Sequence, residues 1–446
     1  MLVEIDKKNS MPIYRQIEAG IKQKILNNEL PPGAKLPAER KLAQMLEVHR
    51  NTVVKAYKLL TDQELVSCNI PHRKGYFVCF GSENESVTNE KQGKAIFRYS
   101  YTSGALEKIF DDIYQASGQK KYISFGGHIL PDSLISVAKI KEVINQTIDD
   151  YGAHTFSYCQ AKGSPVLRKE LSVQLEKEGV HVRESEIVIV NETTQGLEFV
   201  MNCVASGGDC VATEYPIMPD AYRIFQRNGL KIIPVELEAD GANLIQLENV
   251  FKKYRPKFFY TMPDYHSVTG SRMSMEKRIQ VIEMAYRYNV PIMEECWYTG
   301  MNFEDRGLSS LFALDKYKNV VTVDNALTSF YNGAKIAYLL APAGMVEKVS
   351  EHLSSSQTHL QNLEQLVFAE YLKHGYSELQ RAETVNYYRG KRDIMRKEMQ
   401  RLKYSGVSWD EPKGGLSYWC RLPEGMNDMH LYKVLRSRGV LIFPGK

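Results

Sequence analysis

Isoleucines at positions 13, 17, 21 and 25 recur on one helical face, and Pro12 suits a first turn, so the spacing predicts a helix from Pro12 to about Leu26. A breaker cluster follows from Asn27 through Pro31, Pro32 and Gly33, after which Pro37 opens a second short helix with Leu42, Ala43 and Leu46 on one side. A tight turn near Glu47 and Val48 leads into a third helix from about His49 to Asp62. Its Val53, Ala56, Tyr57 and Leu60 share a face and leave Arg50, Asn51, Thr52 and Lys55 on the other. Two β-prone runs, 65–68 and 75–79, form a hairpin whose connecting residues include Arg73 and Lys74. Residues 81 to about 95 are polar and nearly free of large apolar side chains, as in a connector. From about Tyr122 onward, β-branched runs at 187–190, 231–235 and 320–323 alternate with helical patterns, predicting a parallel sheet with crossover helices.

Composition narrows this picture. With 446 residues, 43% of them hydrophobic and 25% charged, the chain exceeds one ordinary core, so at least two domains are expected. The seven cysteines are odd in number, scattered and free of metal-ligand spacing, which predicts thiols in a reducing, cytoplasmic setting and no metal site. No apolar run reaches signal-peptide or membrane-span length, so no membrane partner is expected. Net charge is only +4, but residues 1–80 hold thirteen Lys or Arg against eight Asp or Glu, a difference of +5. Nucleic-acid binding, if present, belongs to that segment.

The third helix displays Arg50, Asn51, Thr52 and Lys55 behind a second helix bearing Arg40 and Lys41, an arrangement suited to a recognition helix in a major groove. Arg50 can pair twice with a guanine edge and Asn51 with adenine, while Thr52 can reach a phosphate or a thymine methyl. Arg40, Lys41, Arg73 and Lys74 are placed for phosphates. The segments from Pro12 to Ile17, from Pro32 to Ala43 (PGAKLPAERKLA) and from Val48 to Leu60 (VHRNTVVKAYKLL) resemble the GntR family of bacterial regulators. The resemblance implies a winged helix-turn-helix over 1–80 in which Arg40, Arg50, Asn51, Thr52 and the wing Gly75 contact DNA. Ala38 stands where many members carry a helix-capping serine.

Further along, Tyr158 with Gly163, Leu167 and Arg168, then Gly208-Asp209 with Glu214 and Pro216, and Pro263 with Thr269-Gly270, resemble the framework of fold-type I aminotransferases. Together with the first module, this resembles the MocR subfamily of regulators. It implies a linker over 81–120 and an α/β effector and dimerisation domain over 121–446 with a smaller α+β C-terminal subdomain. By the same resemblance, the family segment that carries a carboxylate-binding arginine is expected to lie beyond Lys446. In that family pyridoxal phosphate is held by a lysine, and aligning back from Ile336–Pro342 puts that lysine position on Thr328. A hydroxyl cannot form an imine, so no catalytic residue and no bound cofactor are expected. The ring-stacking tyrosine falls on Met218, the pyridinium-pairing aspartate on Glu295, the tyrosine near the ring hydroxyl on Trp297, and a phosphate-binding glycine on Glu192. Lys335 takes the family's arginine position, and three readings stand for it: a solvated amine, an anion contact, or a displaced aldimine lysine.

Met218, Tyr265, His266, Trp297 and Tyr298 would line the vacated space, either as a pocket for an apolar or aromatic effector or simply as core. The sequence therefore predicts a homodimeric regulator of operator DNA without aminotransferase activity. The competing readings are an enzyme or cofactor-responsive regulator using Lys335, and a protein-interaction scaffold.

Overall fold

The computed structural model describes residues 5–6, 11–26, 30, 34–63, 65–68, 75–78, 105–126, 130–304, 307–326, 330–331, 333–355 and 360–445. The breaker cluster apart from Leu30, the hairpin tip with Arg73 and Lys74, residues 81–104 of the connector, and Thr328 lie outside them. The chain divides into two compact units, residues 1–109 and 110–446.

In the first unit, α1 (Ile13–Leu26), α2 (Glu39–Met45) and α3 (Arg50–Asp62) precede β1 (Val66–Ser67), which pairs antiparallel with β2 (Phe77–Val78). Ile17 and Ile21 meet Leu42, Val53, Ala56, Tyr57, Leu60, Val66 and Val78 in one core, with Ile13 and Ile25 at its margin. The turn between α2 and α3 puts Glu47 in the left-handed region at φ +50°, and the Val48 amide donates back to the Ala43 carbonyl at 3.0 Å. His49 caps α3 rather than belonging to it, its Nδ1 accepting from the Asn51 amide at 3.2 Å. Ala38 leaves α2 without a side-chain cap. The Tyr57 hydroxyl, donating to the Pro37 carbonyl at 2.8 Å, ties α3 to the start of α2 instead.

Part of the expected linker is helical. α4 (Ala105–Ser117) buries Ile113 and Ala116, and its Asp112 accepts from the Tyr432 hydroxyl at 2.6 Å and from the Arg436 guanidinium. The apolar positions 109, 110 and 113 give it a sticky stripe that the polar run before it conceals.

The second unit is built on an eight-stranded sheet. Its strands are β4 (Ile187–Val190), β5 (Cys210–Tyr215), β6 (Lys231–Glu238), β7 (Gly241–Ala242), β8 (Phe259–Thr261), β9 (Ile292–Cys296), β10 (Val320–Asn325) and β11 (Ala337–Leu340), in the order β4-β11-β10-β9-β8-β5-β6-β7. The five strands from β10 to β6 are parallel, while β11 runs against both its neighbours. Both faces are covered, which is why the strands read as continuous apolar runs instead of alternating. Val188 and Val190 face α7 (Thr193–Val204), α8 (Pro219–Arg227) and α12 (Ala343–Ser355). Ile187 and Ile189 face α5 (Val137–Tyr151), α6 (Pro165–Lys177) and α13 (Asn362–Lys373). Towards the other edge, α9 (Leu244–Tyr254), α10 (Met275–Arg287) and the single turn α11 (Leu311–Leu314) cover Ala212, Phe259 and Ile292.

The C-terminal portion consists of α14 (Tyr376–Met399), the pair β12 (Ser408–Trp409) and β13 (Cys420–Arg421), and α15 (Asp428–Ser437). Finally β14 (Val440–Leu441) pairs in parallel with β3 (Ile123–Ser124). No described helix is long and apolar enough to cross a membrane.

Candidate functional site

The core of the first unit turns one side of α3 inward and so turns the other outward. Arg50, Asn51 and Lys55 are exposed on it, Thr52 is half-buried, and Arg40 and Lys41 are exposed on α2. Gly75, at φ +120°, occupies a backbone conformation that side chains rarely adopt and leads directly into β2. Two of these cations have partners inside the unit. The Lys55 ammonium lies 4.0 Å from the centre of the Tyr14 ring. Arg50 donates from Nε and Nη2 to Oε2 of Glu39, at 3.0 and 2.7 Å, and the Tyr76 hydroxyl donates to Oε1 of the same carboxylate at 3.2 Å. Periodicity singled out neither Glu39 nor Tyr76. The available signal was an acid at the start of α2, a helix otherwise bearing basic residues.

In the second unit the residues aligned with a cofactor site gather around the N-terminal ends of α7 and α8. Glu192 is the cap residue of α7, and its carboxylate forms an ion pair with the Lys335 ammonium. Glu295, buried at the end of β9, accepts from the Tyr260 hydroxyl and from Trp297 Nε1, the latter at 2.6 Å. Burial raises its carboxyl above the ordinary range, against hydrogen bonds from Tyr260, Trp297 and Thr193 that favour the anion. Asp220, in the first turn of α8, is raised by burial as well, and its neighbour Glu192 adds to that. Met218 caps α8, and its Sδ accepts from the Ser267 hydroxyl at 3.0 Å.

Four of the five candidate pocket residues belong to two clusters that meet at Trp297, and the fifth, His266, sits in a turn. Tyr265 and Tyr298 pack with Met301 and Phe303 in a small separate core, where Tyr265 takes φ +49° and donates to Asn302 Oδ1 at 2.7 Å. His266 is buried within its own turn, with Nδ1 accepting from the amides of Val268 and Thr269 at 3.3 Å each, and burial lowers its pKa to about 4. Met218 is buried in the larger core, and Trp297 packs against both that core and the small one. Two cavities stand elsewhere. A narrow one of about 20 Å³, room for a single water, lies on the opposite face of the sheet between Asp324, Tyr338, Thr299, Ser377 and Arg381. An open cleft of about 460 Å³, lined by Gly300, Asn302 and Arg389, shares Arg381 with it. Asp324 accepts from Thr299 at 2.9 Å and Tyr338 at 3.0 Å, and burial raises its pKa to about 7. No group of three or more metal-ligating side chains converges among the described residues.

Comparison with known proteins follows the same division. Residues 13–78 match the sequence profile of bacterial regulatory proteins of the gntR family. Over nearly its whole length the chain is similar to the HTH-type transcriptional regulator YisV of Bacillus subtilis, with 26% identity over 444 residues, 98% of this chain and 90% of that protein. The second unit is similar to the α-aminoadipate aminotransferase LysN of Thermus thermophilus, solved with N-(5'-phosphopyridoxyl)-L-leucine. There the TM-score is 0.69 at 25% identity, over 73% of this chain and 83% of that one. An archaeal alanine:glyoxylate aminotransferase gives a TM-score of 0.72 at 28% identity, over 77% and 87%. The chain is a gntR-family helix-turn-helix domain followed by a fold-type I aminotransferase-like α/β domain.

Proposed function

We propose that this protein is a sequence-specific transcriptional regulator whose aminotransferase-like domain carries out no transamination. The observation that supports DNA binding best is the outward face of α3, where Arg50, Asn51 and Thr52 project from a well-packed three-helix core. Arg40 and Lys41 on α2 supply phosphate contacts, and the sequence adds the basic pair Arg73 and Lys74 ahead of Gly75. The similarity to YisV along almost the full chain agrees with this reading.

The residues of the second unit do not fit pyridoxal phosphate. A phosphate group needs free amides and positive potential at a helix start, whereas the cap position of α7 holds the Glu192 carboxylate. Lys335, the one basic residue at the family's anion-binding position, is engaged with that carboxylate. Its ammonium therefore has an internal counter-ion, which favours neither the anion contact nor the displaced-lysine reading. Glu295 is tied to Tyr260 and Trp297, and the sequence puts Thr328 where the lysine would stand. This domain retains the roles of dimerisation and of sensing a non-covalent effector, with two subunits reading two half-sites of an operator.

The test is direct. Purified protein mixed with pyridoxal phosphate and reduced with borohydride yields no covalent adduct on this account. A stoichiometric adduct on Lys335 contradicts it and restores the enzymatic reading.

A further inference from the structure

We infer that Glu39 is a specificity-determining positioning residue, which holds the Arg50 guanidinium so that one defined edge of it faces out from α3. The inference rests on the DNA-binding reading of α3 and adds a residue that the reading does not require.

Arg50 is the first residue of α3, so its cation stands at the positive end of the helix dipole, a position that helix stability disfavours. Its side chain is 51% exposed, and a free arginine there would sample many rotamers before meeting a base. Glu39 removes that freedom. Its Oε2 takes both Nε–H and Nη2–H of Arg50, while its Oε1 is held by the Tyr76 hydroxyl beside β2. With a side-chain exposure of 18%, Glu39 is more firmly seated than the residue it holds. An ion pair this open adds little to stability, so its main consequence is orientation.

Arginine carries five N–H donors in a rigid fork. Two of them are committed to Glu39, which leaves the Nη1/Nη2 end facing away from the carboxylate. That end matches the O6 and N7 acceptors of guanine in the major groove. Holding the fork in advance lowers the ordering cost of that contact. The wing is part of the arrangement through Tyr76, whose hydroxyl pKa is raised by burial and by its hydrogen bond to Glu39, keeping it a donor.

The experiment uses the full chain and a duplex library with a randomised central segment, selected by wild type, Arg50→Ala, Glu39→Ala and Glu39→Gln and read by sequencing. Arg50→Ala identifies the base position at which preference is lost. Glu39→Ala is expected to weaken preference at that same position about tenfold, with binding to unrelated duplexes at low salt unchanged or strengthened. Charge removal alone would strengthen binding to every duplex, so a loss confined to one position separates positioning from electrostatics. Glu39→Gln keeps an acceptor oxygen for Arg50 and Tyr76 and recovers part of the preference. The proposal is overturned if Arg50→Ala loses a position at which Glu39→Ala and Glu39→Gln both keep the full wild-type preference. If Arg50→Ala itself selects the same bases as wild type, the DNA-reading assignment of α3 fails, and the proposal with it.

Discussion

Lys335 and Glu192 remain 57% and 50% exposed in their ion pair, so the pair contributes less than about 1 kcal/mol to stability. Lys335→Ala should accordingly leave the unfolding midpoint of the second unit nearly unchanged, and a large drop would mean the pair is buried in an assembly. Asp324 behaves differently. Its carboxyl moves from 3.8 in an open chain to about 7 in the fold, chiefly through burial. The native state therefore binds a proton that the unfolded chain has released, and stability falls as pH rises from about 4 towards 7. Asp324→Asn should flatten that decline, measured as urea midpoint against pH. His266 has the opposite sign, since its value drops from 6.5 to about 4 and its cost appears only as pH falls through that window. At this scale the sequence was informative about identity and silent about partners. Lys335 could be aligned with an arginine position, but Glu192 is 143 positions away, and only the fold brings the two together.

Helix α2 begins at Ala38 in an extended conformation, φ −56° and ψ 144°, with no side-chain cap. Ala38→Ser should satisfy an amide of the first turn and stabilise the N-terminal unit by about 1 kcal/mol, seen as a higher melting midpoint. Gly414 marks the reverse case. A Cβ there would lie 2.2 Å from Tyr265 Cζ and 2.3 Å from the Met301 carbonyl oxygen, so Gly414→Ala should lower the midpoint of the second unit by about 1–3 kcal/mol equivalent. Elements with strong periodicity were legible from sequence. The isoleucine stripe located α1, the Val53 to Leu60 face located α3, and the apolar runs located β4, β6 and β10. Helix α4 was not, because its short stripe follows a long polar stretch and the residues it meets, Tyr432 and Arg436 through Asp112 and Phe443 through Phe110, lie more than three hundred positions later. The candidate pocket residues meet the same limit, since period and alignment place residues along a strand but not the rotamers that put Tyr298 with Tyr265 and Trp297 on Glu295.

For the whole molecule, the excess of basic residues in the first eighty positions and the exposed cations of α2 and α3 imply binding that weakens steeply with salt. Lys41→Ala should reduce the slope of log affinity against log salt by about 1 while leaving sequence preference intact. The first unit presents Arg50, Asn51 and Lys55 on an exposed helix face, and the second combines an aminotransferase-like architecture with the Glu192 carboxylate at the cap of α7. The measurement that tests this account most directly is footprinting of the full-length protein and its Arg50→Ala variant on the DNA upstream of its own gene. The account predicts a protected site for wild type and none for the variant, with matching unfolding curves for both. Equal protection by the two proteins would contradict it.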